Sequence, residues 1–165
     1  MKTIVTSTLL IGLLLLGPAG CATKPPTQMK TAFSLKDFEP YKANGLGKIY
    51  GQAFLKTRGG DVKVGAGDKV VLWPFPPFMK EVISLKDQGY SITNYTQEMV
   101  QQMLPYVREC IGDAQGNYEF TGLPPGDYFL EVTIKWLAGN RETGGLIRKP
   151  ATLGEGQVLK VVLTP

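Results

Sequence analysis

The sequence predicts a mostly β domain built from many short strands, and three observations carry that expectation. The 165 residues include 20 glycines and 12 prolines, well above the roughly 12% of average usage, and such punctuation suits strands joined by turns better than a helical bundle. From Leu46 onward, apolar residues recur at every second position between turn signals, the spacing of half-buried strands. Hydrophobic residues make up 43% and charged residues 19%, enough to bury a core and unlike a disordered chain. The length suits one domain.

Ahead of the strands, Lys2 supplies a short positive start to the apolar run Ile4–Leu16. That run is too short for a spanning helix of about 20 residues and fits the apolar part of a signal peptide. It ends at Gly17-Pro18-Ala19-Gly20-Cys21, which resembles the lipobox of bacterial lipoproteins, where the cysteine is lipidated and becomes the first residue of the mature chain. Pro18 stands where that pattern usually has Leu. The resemblance implies a lipoprotein signal peptide over 1–20, lipidation at Cys21 and, because residue 22 is Ala rather than Asp, the outer membrane of a Gram-negative envelope. Two or three acyl chains hold a protein essentially permanently, so the chain is expected to be anchored to a membrane and not to span it. The competing reading is an ordinary secretory signal cleaved near Ala19 or Ala22, with Cys21 left free to pair with Cys110.

Residues 21–45 are read as the lipidated cysteine and a tether. From Ala22 to about Met29 the chain is polar, proline-containing and aperiodic, as linkers are. Phe33, Leu35, Phe38 and Tyr41 could pack on the domain, which shortens the free tether to about ten residues and holds the module close to the membrane surface.

The domain proper is placed at 46–165. Lys48–Leu55 puts Ile49, Ala53 and Leu55 on one face, and Thr57-Arg58-Gly59-Gly60-Asp61 reads as a turn. Asp68–Trp73 is a second strand, stopped by Pro74. Tyr118 and Phe120 alternate with Asn117 and Glu119 in a third. Asp127–Trp136 is the clearest, with Tyr128, Leu130, Val132, Ile134 and Trp136 sharing a face. Leu146–Thr152 and Gln157–Leu163 follow, the last with Leu159, Val161 and Leu163 on one side. Asp113-Ala114-Gln115-Gly116 suits a type I turn, and Pro124-Pro125-Gly126-Asp127 a type II turn, so the unit between them has its register set at both ends.

The run Asp-x-x-Gly-x-Tyr-x-Phe-x-x-Leu-x-x-Gly-x-Tyr at 113–128 resembles the signature of carboxypeptidase regulatory-like domains. The upstream run Gly59–Gly67 followed by Val70, Leu72 and Pro74 is similar to Gram-negative lipoproteins bearing that domain. The resemblance implies a Greek-key, prealbumin-like β-sandwich of about seven strands, mostly accessory in role, and it brings no catalytic residues. One departure from a plain sandwich is expected at about 93–109. There Tyr95, Met99, Met103 and Tyr106 form one apolar helical face, and Pro105 breaks or kinks the helix near its end. The helix is read as a cover for an open edge or end of the sandwich, the alternative being a partner-binding surface.

Trp73-Pro74-Phe75-Pro76-Pro77-Phe78 concentrates aromatic rings among prolines, which limit the entropy lost on binding, and flat rings stack on sugars or on other proteins. If exposed, Trp73, Phe75 and Phe78 are the favoured contacts; the competing reading has them close the core. Cys110 would be the thiol left after lipidation of Cys21, and nothing nearby marks it as reactive, so it is read as a passive free thiol.

Other chemistry is thinly supported. The chain has no His, which removes the usual neutral-pH base and the commonest zinc ligand. There is no Gly-x-Ser-x-Gly and no phosphate-binding loop, and Asp113–Gly116 lacks the spacing of a calcium loop, so no metal and no cofactor are expected. A formal charge of +4, one less without Lys2, is too mild for nucleic acid and has no basic cluster to support it. The expected role is a non-enzymatic, lipid-anchored envelope module that binds or scaffolds a protein or glycan of the cell surface. Two alternatives stay open: a secretion-machine lipoprotein of the same fold, and a hydrolase using scattered carboxylates on envelope carbohydrate.

Overall fold

Alternating burial runs unbroken through β1 (Gly47–Gln52) and on into β2 (Phe54–Lys56). Gly47, Ile49, Gly51, Ala53 and Leu55 are buried, while Lys48, Tyr50, Gln52 and Phe54 are only partly covered. The structure is a computed structural model that describes residues 24–165; the signal segment 1–20 and Cys21 lie outside the described residues. The remaining strands are β3 (Val62–Val64), β4 (Lys69–Pro74), β5 (Arg108–Ile111), β6 (Asn117–Leu123), β7 (Gly126–Ala138), β8 (Arg141–Leu153) and β9 (Val158–Lys160). Between β4 and β5 lie two helices, α1 (Pro77–Asp87) and α2 (Gln97–Met103).

The strands form a three-stranded sheet in the order β6-β1-β9, a four-stranded sheet in the order β5-β4-β7-β8 and a ribbon of β2 with β3. β1 runs antiparallel to β6 and parallel to β9; the four-stranded sheet is antiparallel throughout. The two larger sheets share one core. Ile49, Tyr118 and Phe120 from one side pack with Val70, Leu72, Leu130, Val132, Ile134 and Ile147 from the other. Two buried hydroxyls find backbone acceptors there, as burial demands. Tyr118 donates to the Val161 carbonyl at 2.6 Å and Tyr128 to the Pro124 carbonyl at 2.7 Å, and burial raises the pKa of both phenols.

The Asp113–Gly116 turn behaves as its residues dictate, whereas Pro124–Asp127 is not the type II turn expected: Gly126 takes φ 157° and already opens β7. Asp113 Oδ1 accepts from the Gln115 and Asn117 N–H groups, each at 2.8 Å, and Gly116 takes φ 76°, a conformation glycine adopts without strain. The outcome is thus β-rich with short helices, broadly the sandwich expected, but it carries nine strands among the described residues instead of about seven, and two helices instead of one.

Three further expectations need correction. The helical insertion expected at 93–109 begins much earlier, because Pro77 sits at the first turn of α1, where its missing N–H costs nothing. It also ends earlier: α2 stops at Met103, Pro105 falls in a 3₁₀ turn, and Arg108–Ile111 pairs with β4. The expected apolar face is nonetheless the one used, since Met103 and Tyr106 are buried and Tyr95 and Met99 pack against them.

The span 21–45 is not tether throughout. Thr27 bridges to Ile92, and its N–H donates to the Ser91 carbonyl at 2.9 Å. The Met29 N–H bonds Asn94 Oδ1 at 2.8 Å, and the Lys30 and Thr31 N–H groups bond the Glu81 carboxylate at 2.8 and 2.7 Å. Phe38 is fully buried. These residues complete a second apolar cluster of Met29, Phe38, Phe78, Met79, Val82, Met103 and Tyr106. It lies on the outward face of the four-stranded sheet, reached through Trp73 and through Phe75, which stacks on Phe129 with centroids 5.0 Å apart. Fully burying such a side chain contributes roughly 1.5–3 kcal/mol, so this layer belongs to the folded body. The third correction, to the burial of Phe78, follows with the site residues.

Candidate functional site

The outward face of β1 forms the floor of a broad concavity. The antiparallel register sets Tyr50 beside Glu119 and Gln52 beside Asn117, while the parallel register with β9 sets Tyr50 beside Lys160. Paired residues point to the same side of a sheet, so Glu119, Tyr50 and Lys160 form a row across three strands. Phe54 continues the outward side of β1. These side chains, with Asp113, Cys110, Ile111 and Val162, line an open cleft of about 790 Å³, within the usual size of small-molecule sites.

The polar groups of the cleft are largely fixed in place. Lys48 Nζ lies 2.6 Å from Glu119 Oε2 and 5.5 Å from the centre of the Tyr50 ring. Gln52 Nε2 donates to the Gln115 carbonyl at 2.8 Å. Asn117 Nδ2 donates to Asp113 Oδ2 at 2.9 Å, and this donor, followed by backbone N–H groups, holds the Asp113 carboxyl below its ordinary range. Burial pushes the Cys110 thiol upward, so it stays protonated near neutral pH. The cleft therefore offers two rings, preset amide and carboxylate groups and an ammonium; it holds no activated nucleophile. Among the described residues no group of three His, Cys, Asp or Glu side chains could hold a metal ion.

The residues singled out from the sequence lie elsewhere. Phe78 is fully buried in the helical layer, where its ring meets Phe33 at 5.1 Å and Tyr95 at 6.2 Å; α1 turns it inward, so it has no surface to offer a partner. Phe75 is half-buried against Phe129, with Lys80 Nζ 5.9 Å from its ring centre. Trp73 keeps one part free, in the wall of a cavity of about 130 Å³ shared with Lys86, Tyr95, Glu131 and Arg148. Cys110 has no disulfide partner among the described residues and is half-buried, in the wall of the larger cleft. Tyr50, Gln52, Phe54, Asn117, Glu119 and Lys160 were missed as site residues. The signal available was the outward half of the same alternation that identified Ile49, Ala53 and Leu55: an aromatic at every fourth position facing water.

No protein-family model matches this chain, and no curated protein matches it. Among solved structures, a protein of Pseudomonas aeruginosa whose carbohydrate binding is itself only a suggestion is similar over 82% of this chain and 99% of its own, at 24% identity and a TM-score of 0.65. The pilus backbone protein of Streptococcus pneumoniae aligns over 72% of this chain and 41% of its own, at 17% identity and a TM-score of 0.30, a likeness too loose to support an argument. The chain shares its fold with the Pseudomonas protein.

Proposed function

We propose that this chain is a non-catalytic, lipid-anchored module of the Gram-negative cell envelope that binds a carbohydrate of the cell surface in the cleft over β1, β6 and β9. The observation that carries the reading is the pairing of Tyr50 and Phe54 on one outward face, flanked by Gln52, Asn117, Glu119 and Lys160. Exposed rings stack on the apolar faces of sugars, and fixed polar groups beside them take the hydroxyls. The fold shared with the Pseudomonas protein supports the same reading. An enzymatic role finds no support: the chain has no His, and the thiol in the cleft is held protonated. Within this reading the body is the Greek-key, prealbumin-like sandwich implied by the 113–128 run, with the β2–β3 ribbon and the helices as additions.

The Gly17–Cys21 run supports anchoring through Cys21, and Ala22 supports the outer membrane. Since Thr27 is already bonded to the domain, the link from residue 21 spans at most about 20 Å, at roughly 3.3–3.6 Å per residue. The cleft would then work within a short distance of the bilayer. Affinity electrophoresis through gels containing soluble polysaccharides tests the binding. Retardation of the wild type that is lost in both Tyr50→Ala and Phe54→Ala supports it, and unaltered migration in every matrix removes it. Metabolic labelling with an alkyne fatty acid tests the anchor, with label expected on the wild type and absent from Cys21→Ser.

A further inference from the structure

The charges around the cleft are not evenly compensated. Glu119 is paired with Lys48 at 2.6 Å. Asp113 accepts from the Gln115 N–H, the Asn117 N–H and the Asn117 side-chain amide, at 2.8, 2.8 and 2.9 Å. The Glu119 charge is thus countered by Lys48, while Asp113, bonded by neutral donors, keeps its own, and both lie on the β6 side. On the β9 side stand Lys160, in register with Tyr50, and Lys149, whose Nζ donates to the carbonyl of the cleft residue Val162 at 3.1 Å. Neither makes an ion pair among the described residues.

From this asymmetry we infer that the saccharide bound in the cleft is anionic, with a sugar ring on Tyr50 and its acidic group toward Lys160 and Lys149. This rests on the carbohydrate-binding reading and narrows it to a substrate class. A neutral glycan would leave both ammonium groups without an ion-pair partner. A carboxylate or sulfate on the sugar would supply the counter-charge that no described side chain provides, and a charge-assisted hydrogen bond is the stronger kind. Because Lys48 and Glu119 neutralise each other, the attraction falls at one end of the cleft, which orients the ligand.

Affinity electrophoresis through polygalacturonate, dextran sulfate and neutral dextran tests this on the folded domain. Four variants are compared: Lys160→Gln, Lys149→Gln, Tyr50→Ala, and Lys36→Gln on the exposed N-terminal segment. Expected is retardation of the wild type by an acidic polymer, with Lys160→Gln weakening it by roughly fivefold, the conversion of about 1 kcal/mol for an exposed charge contact. Tyr50→Ala should weaken it comparably, and Lys36→Gln should leave it unchanged. The two acidic polymers separate carboxylate from sulfate recognition. Equal losses in Lys160→Gln and Lys36→Gln would mean general charge attraction and overturn the inference. Binding to neutral dextran that needs Tyr50 and ignores Lys160 would overturn it and leave carbohydrate binding standing. Migration of the wild type unaltered by all three polymers would overturn both.

Discussion

Lys80 of α1 donates to the carboxylate of Asp127 on β7 at 2.6 Å, joining the helical layer to the turn that opens the longest hairpin. The other Asp127 oxygen accepts from Thr152 Oγ1 at 2.7 Å, and the Tyr41 hydroxyl donates to the Asp127 backbone carbonyl at 3.0 Å. The Lys80 contact, then the Thr152 hydroxyl, holds the Asp127 carboxyl below its ordinary range. One turn residue thus meets β8, α1 and the N-terminal segment.

Because both ends of the Lys80–Asp127 pair remain exposed to water, screening limits its worth to at most about 1 kcal/mol. Lys80→Met should cost less than that, and Asp127→Ala more, since it also removes the hydrogen bond from the Thr152 hydroxyl. Urea midpoints for the two single variants and the double variant measure the coupling. Additive losses would mean that the helix and the hairpin are held by packing alone.

Phe78→Ala should destabilise the chain by about 3–5 kcal/mol, as should Phe38→Ala, because both rings are fully enclosed in the second cluster. Trp73→Ala, at a half-buried position, should cost less. Urea unfolding of the three variants gives the ranking. A Phe78→Ala protein as stable as the wild type would return that ring to the list of surface contacts.

Gly51 sits where β1 and the segment after β9 approach most closely. A Cβ there would lie 1.7 Å from the Val161 carbonyl oxygen, the oxygen that also accepts from Tyr118. Gly51→Ala should therefore push β9 away from β1 and destabilise the fold by at least about 2 kcal/mol. Faster amide exchange at Val161 and Leu163, which bond Tyr50 and Gln52, would report the separation. Unchanged exchange there would contradict the tight approach.

Acid should release the N-terminal segment. Glu81 is held below its ordinary range first by Thr31 and then by the backbone N–H groups of Lys30 and Thr31. Glu39 is likewise lowered, first by the Tyr106 hydroxyl. A carboxyl whose pKa is depressed on folding stabilises the fold above its unfolded pKa, roughly 4, and that contribution is lost as pH falls through the folded value. Amide protection at Lys30 and Thr31 should fall below about pH 4 and do so less steeply in Glu81→Gln. Protection that is flat down to pH 2.5 would show that packing alone holds the segment.

Much of the β framework could be read from the chain because strand periodicity is local. Ile49, Ala53 and Leu55 announce one buried face, as do Tyr128, Leu130, Val132 and Ile134, and Asp113–Gly116 marks its own turn. β3 and β5 escaped notice because three- and four-residue strands carry too little alternation. α1 escaped because its proline-rich start resembles a recognition segment until Pro77 is seen at a helix N-terminus.

What the sequence alone determined is therefore the class of fold, the faces of its long strands and the Asp113–Gly116 turn, since each depends on residues close together in the chain. Only the tertiary structure decided that Phe78 is interior, that residues 27–42 belong to the body, and that Tyr50 stands between Glu119 and Lys160. Those neighbours are 69 and 110 positions away along the chain. Their meeting is set by which strands pair and in which direction, and no local pattern of residues encodes the parallel pairing of β1 with β9.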